Sequence, residues 1–205
     1  RNEVNRLSEL HLNSLRNLNI EIFNGWGKFI NESELEIICP NTEKFLTKLK
    51  GNKFLISVGG KPKKLRIPGS NFAWTSDDIF KLKNLPKSLL IVGGGYIACE
   101  FASIFSNFGV NVTQLVRRDN LLNGFDSDLS LALKESMISS GINLIFNDEL
   151  ISINKQGSSN YELSLKSGLE LRKESILMAT GREPNIDFLD IESLGIKKER
   201  GFIVV

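Results

Sequence analysis

Two cysteines, one histidine and no long apolar run set the first limits on what this 205-residue chain can be. Cys39 and Cys99 lie sixty positions apart and belong to no C-x-x-C pattern, which leaves neither a disulfide framework nor a zinc site. No stretch approaches the roughly 18 apolar residues needed to cross a bilayer, so no transmembrane helix is expected. Charge of one sign is missing too. The 26 Lys and Arg residues stand against 24 Asp and Glu, a balance that gives neither nucleic acid nor a membrane surface a strong field to bind. No signal peptide is visible, although the chain opens at Arg1 without Met, and no disordered tail can be read. A reduced, cytoplasmic setting fits these absences.

What is present is concentrated between Ser88 and Arg118. Leu89 to Val92 is a short apolar run, suited to a strand buried on both faces, and three glycines follow it at once. Ile97, Phe101, Ile104 and Phe108 recur at helical spacing, and Gly109 stands where a left-handed cap is expected. A second strand, Val110 to Val116, comes next. Gly93, Gly95 and Ala98 thus satisfy G-x-G-x-x-A inside a strand, helix, strand unit, the context of a dinucleotide fingerprint. Gly93 permits the tight turn, Gly95 lets the backbone approach a pyrophosphate, and Ala98 lets the helix pack closely on the strand. The anion is expected at the positive helix N-terminus.

The end of the second strand indicates which dinucleotide. An NAD site carries an acid about 20 residues past the glycines, bonded to the ribose 2′-hydroxyl. Here Arg117 and Arg118 occupy that place. A carboxylate repels a 2′-phosphate, whereas a guanidinium offers it a planar fork of donors. The expected cofactor is NADPH. Cys99, inside the glycine-following helix, reads as a small core residue.

Elsewhere, residues 3–17 read as a helix whose apolar stripe includes His11, a packed histidine on this reading. Strands are expected at Ile20 to Phe23, Leu35 to Ile38 and Lys53 to Val58, and Thr75 to Asp78 is a helix-start signal. Asp126 caps a helix from Ser127 to Ser139, Ile142 to Phe146 is a third parallel strand, an antiparallel meander follows Glu149, and Ser175 to Met178 is the last strand. EIFN at 21–24 and LIFN at 144–147 are offset by 123, and VGGKP at 58–62 and TGREP at 180–184 by 122. Two segments with one spacing suggest a duplicated unit. The first copy's glycine turn then projects upstream of Arg1, so the chain is expected to begin inside a first nucleotide-binding domain.

TSDDIF, IVGGGYIACE and ATGREPN, in this order and spacing, resemble the pyridine nucleotide-disulfide oxidoreductases, most of all their glutathione reductase branch, over nearly the whole chain. The resemblance implies an α/β chain: a Rossmann-like NADPH-binding domain, a parallel sheet plus antiparallel β-meander, at residues 63–183. This domain is inserted in an incomplete FAD-binding domain of the same fold type, with residues 1–62 before it and the returning segment at 184–205. It implies NADPH contacts at Gly93, Gly94, Gly95, Tyr96, Ile97, Glu100, Arg117, Arg118 and Gly181, and FAD contacts at Gly27, Gly59 and Arg182. Tyr96 matches the tyrosine that gates the nicotinamide pocket, and Glu100 a glutamate near the nicotinamide amide. Hydride then passes from NADPH to FAD to a redox disulfide and on to glutathione disulfide. Trypanothione, mercuric and dihydrolipoamide relatives share the layout, and an NADPH-binding module without turnover is the alternative of another class. Asn123 replaces a further family arginine, which should weaken the 2′-phosphate grip. His11 replaces a substrate-side tyrosine, and Val58 a threonine. The redox pair C-x-x-x-x-C is absent, so the chain by itself is not expected to reduce a disulfide. The parent is expected to be a homodimer and this chain a monomer.

Overall fold

The computed structural model describes residues 2–157 and 160–205. The chain divides into two compact units, one formed by residues 1–59 with 184–205 and the other by residues 60–183.

The first unit opens with α1 (Asn2–Asn17), followed by the antiparallel strands β1 (Trp26–Asn31), β2 (Glu34–Ile38) and β3 (Phe45–Lys50) in sequential order. Its core gathers Phe29, Ile186, Leu189 and Ile191, with Phe54 edge-on to Phe29. Three expectations are corrected here. Ile20 to Phe23 and Lys53 to Val58 form no strand, because a strand needs a ladder partner and none of the described strands pairs with them. His11 is exposed, as is nearly all of α1, which buries no residue. Its stripe of Val4, Leu7 and Leu15 is exposed as well. Conversely, β1 and β3 escaped the sequence reading: Gly25 and Gly27 masked the first, and alternating lysines the second.

The second unit begins with β4 (Gly60–Pro62) and the short helix α2 (Ser76–Ile79). The expected cap is present. The Asp78 carboxylate accepts from both the backbone N–H and the hydroxyl of Thr75, each at 2.8 Å, and the Thr75 backbone N–H leads the causes that hold Asp78 below the usual carboxylate range. A depressed carboxyl stabilises the fold above its unfolded pKa near 3.9, and that contribution disappears as pH falls through the lower folded value. Asp78→Ala should therefore cost about 1 kcal/mol at pH 7, the scale of a capping interaction. Urea unfolding should show the gap between variant and wild type closing below about pH 4.

The body of the unit is β5 (Ser88–Val92), α3 (Tyr96–Asn107), β6 (Asn111–Val116), α4 (Ser127–Ser139) and β7 (Asn143–Phe146). The meander β8 (Leu150–Gln156), β9 (Asn160–Leu165) and β10 (Glu170–Lys173) follows, then β11 (Ser175–Met178) and β12 (Arg182–Pro184). The parallel sheet has the order β11-β5-β6-β7. Alternate residues of β5 serve two cores. Leu89 and Ile91 pack with Ala98, Ala102, Phe105 and Met137 of α3 and α4, while Leu90 and Val92 pack with Ile153, Leu163 and Leu165 of the meander. Burial on both faces explains the uninterrupted apolar run, and each such side chain contributes about 1.5–3 kcal/mol.

The face of α3 is also a correction. Ala98, Cys99, Ala102 and Phe105 are buried, whereas Ile104 and Phe108 of the expected stripe are 47% and 67% exposed. Close approach of the helix to the strands selects the small residues, and the larger ones are pushed to the flank. Gly109 adopts the left-handed conformation expected of it, with φ +80°.

Candidate functional site

The turn between β5 and α3 is shaped by its glycines. Gly93 has φ +138°, and a Cβ there would lie 2.3 Å from the Ala179 carbonyl oxygen. At Gly94 a Cβ would meet Val116 Cγ1 at 2.7 Å, whereas at Gly95 it would meet nothing within 4 Å. The first two glycines are required by the protein itself, and the third leaves its surface bare. Gly95 is the N-cap of α3 and brings no side chain to the helix end, so the first N–H groups have no intrahelical partner and are free to meet an anion.

This turn lies in a cleft of about 900 Å³ in the second unit. Nine of the twelve expected site residues line it: Gly93, Gly94, Gly95, Tyr96 and Ile97 from the turn and helix start, Arg117 and Arg118 just past the end of β6, and Gly181 and Arg182 where the chain passes from β11 into β12. Tyr96 is 56% exposed. Glu100 does not line the cleft; it is exposed one helical turn beyond Tyr96. Gly27 and Gly59 belong to the first unit.

The two arginines are held differently. Arg118 donates to Asn123 Oδ1 at 2.6 Å, and its backbone carbonyl accepts from Asn147 N–H at 3.1 Å. Arg117 is exposed and has no hydrogen-bond or ion-pair partner among the described residues. Asn123, expected only as a lost cation, thus orients Arg118. The far wall is fastened by the Thr180 hydroxyl, which donates to Lys63 O at 2.6 Å, and by Arg182, whose guanidinium donates to Gly60 O.

Sequence reasoning missed Asp148 and Glu149, which line the cleft after β7. The buried Asp148 carboxylate accepts from Ser167 Oγ at 2.5 Å and from the backbone N–H groups of Ser167 and Glu149 at 3.1 and 2.8 Å. These bonds hold it below the usual carboxylate range, Ser167 Oγ foremost. The available signal was positional, since residues just past the carboxyl ends of parallel strands line the crevice. Among the described residues no cluster of His, Cys, Asp and Glu could hold a metal, and no helix is long and apolar enough to cross a membrane.

Comparison with known proteins agrees with this geometry. The sequence profile of a family described as pyridine nucleotide-disulphide oxidoreductase matches residues 2–205. A glutathione reductase of Nostoc sp. is 36% identical over 95% of the chain, and a soluble pyridine nucleotide transhydrogenase of Pseudomonas putida is 35% identical over 91%. The chain spans 41% and 40% of the length of these relatives. Among solved structures, the HOCl-induced flavoprotein disulfide reductase RclA from Escherichia coli superposes with a TM-score of 0.88 at 31% identity, covering 98% of this chain and 46% of that one. A profile that matches all but the first residue, on a fold with a glycine turn and a nucleotide-sized cleft, places this chain in the pyridine nucleotide-disulphide oxidoreductase family.

Proposed function

We propose that the cleft of the second unit binds NADPH and that the chain is the central part of an FAD-dependent reductase whose substrate is glutathione disulfide. One observation carries the nucleotide assignment: Arg117, exposed and unpartnered, ends the strand beside the glycine turn in one cleft with it. The cleft fits the group, because Gly95 leaves room for close backbone approach and the start of α3 is uncapped by any side chain. Bound there, NADPH would supply a hydride. The N–H groups at the start of α3 would hold the pyrophosphate, Arg117 and Arg118 would hold the 2′-phosphate, and Tyr96 would cover the nicotinamide place and exclude water from it. Glu100 stands one turn behind Tyr96 as the contact for the nicotinamide side. Gly27, Gly59 and Arg182 are assigned to FAD. Residues 63–183 form the NADPH-binding domain on this reading, and a homodimeric, cytoplasmic parent belongs to it.

The glutathione reductase relatives support the disulfide as acceptor. The transhydrogenase relatives support a second reading, in which a second pyridine nucleotide accepts the hydride. The whole FAD-loaded protein, given NADPH with either glutathione disulfide or NAD, separates the two. Two thiols released per NADPH oxidised is the expected result; NADH formation without thiol release would transfer the assignment to the second reading.

A further inference from the structure

Gln114 is the most deeply buried polar side chain among the described residues, with no exposed surface, in the middle of the parallel sheet. Its Nε2 donates to the Gly93 carbonyl at 2.9 Å and lies 3.7 Å from Cys99 Sγ. Its Oε1 accepts no hydrogen bond among the described residues. A half-satisfied buried amide is unfavourable, so the side chain does not serve stability alone. The Gly93 carbonyl, an acceptor, can be satisfied only by the NH₂ end of the amide, which fixes the orientation of the group.

We propose that Gln114 is a positioning residue for the dinucleotide-binding turn, holding the Gly93 carbonyl toward the protein interior so that the turn presents N–H groups to the cleft. The inference rests on the reading of that cleft as a dinucleotide site. The next carbonyl of the turn is likewise engaged within the protein, and so is the first N–H. Gly93 N–H donates to Leu115 O at 2.9 Å, and the Gly94 carbonyl accepts from Leu122 N–H at 2.7 Å. With both carbonyls already accepting hydrogen bonds from the protein, neither is a free oxygen dipole set against an anion at the turn. Without Gln114 the peptide joining Gly93 to Gly94 loses its inward partner, and glycine offers little steric resistance to its rotation.

Gln114→Met keeps the length and removes the amide. Calorimetry should show NADPH and NADH both bound about five- to tenfold more weakly, by the same factor, the scale of one hydrogen bond. The preference between them should not change. The fragment 2′-AMP, which carries the 2′-phosphate and no pyrophosphate, should bind variant and wild type equally. Undiminished NADPH affinity in the variant would overturn the proposal, as would equal losses for NADPH and 2′-AMP, the mark of a merely structural role. Should the variant not fold, the wild type decides: a scalar coupling between the Gln114 side-chain nitrogen and the Gly93 carbonyl carbon is expected, and its absence overturns the contact. A wild-type chain that binds neither dinucleotide overturns the nucleotide reading itself, an outcome distinct from failure of Gln114 alone.

Discussion

Gly93→Ala is expected to abolish NADPH binding and to destabilise the second unit by about 3 kcal/mol or more. The added methyl would lie 2.3 Å from the Ala179 oxygen and 2.9 Å from its carbonyl carbon, both backbone atoms of the segment leaving β11. Neither partner can yield cheaply. Ala179 N–H donates to Val92 O, and Gly93 N–H to Leu115 O, both at 2.9 Å, so a shift large enough to admit the methyl opens the end of the sheet under the turn. The φ of +138° adds strain for any residue with a Cβ. Urea unfolding measures the loss, and Gly95→Ala provides the contrast. A Cβ at Gly95 meets nothing within 4 Å, so stability should change by no more than about 0.5 kcal/mol. NADPH affinity should nevertheless fall, because the methyl is added to the wall of the cleft.

Arg117→Glu should reverse the nucleotide preference. Each charge-assisted hydrogen bond to the 2′-phosphate is worth about 1.5–3 kcal/mol, so losing a bidentate contact and adding a like charge should weaken NADPH binding by about a hundredfold or more. NADH, with no charge at that position, should be nearly unaffected. Arg117 has no partner among the described residues to lose, so thermal stability should not change measurably. Salt should narrow the wild-type difference between the two nucleotides, since exposed charges are screened over about 8–10 Å at physiological ionic strength. A variant that still prefers NADPH tenfold would show that Arg118, oriented by Asn123, carries the contact instead.

Legibility in the sequence followed the locality of the forces. The helix at Ser127–Ser139 was readable to the residue because Asp126 caps it, its carboxylate accepting from Asp128 N–H at 2.9 Å, and Gly141 follows it with φ +82°. Strands β5 and β11 were equally plain, since burial on both faces leaves an unbroken apolar run. The glycine turn declared itself because its three positions have separate steric demands. The face that α3 buries was not legible, because apolar spacing names the largest side chains whereas a tight helix-to-sheet contact selects alanines. Ile20 to Phe23 and Lys53 to Val58 carry strand composition, but whether a ladder forms depends on a partner that local sequence does not specify. Gln114 was invisible for a similar reason. Its role depends on the carbonyl of a residue 21 positions away, and nothing in VTQLV distinguishes a turn-holding amide from a solvated one.

The central claim is that the second unit is an NADPH site whose selectivity comes from the end of β6, and a calorimetric titration of this chain with NADPH and then with NADH tests it most directly. Saturable NADPH binding at one site is expected, at least tenfold tighter than NADH, the factor that one charge-assisted hydrogen bond supplies. Equal affinities, or heat from neither nucleotide, would contradict it.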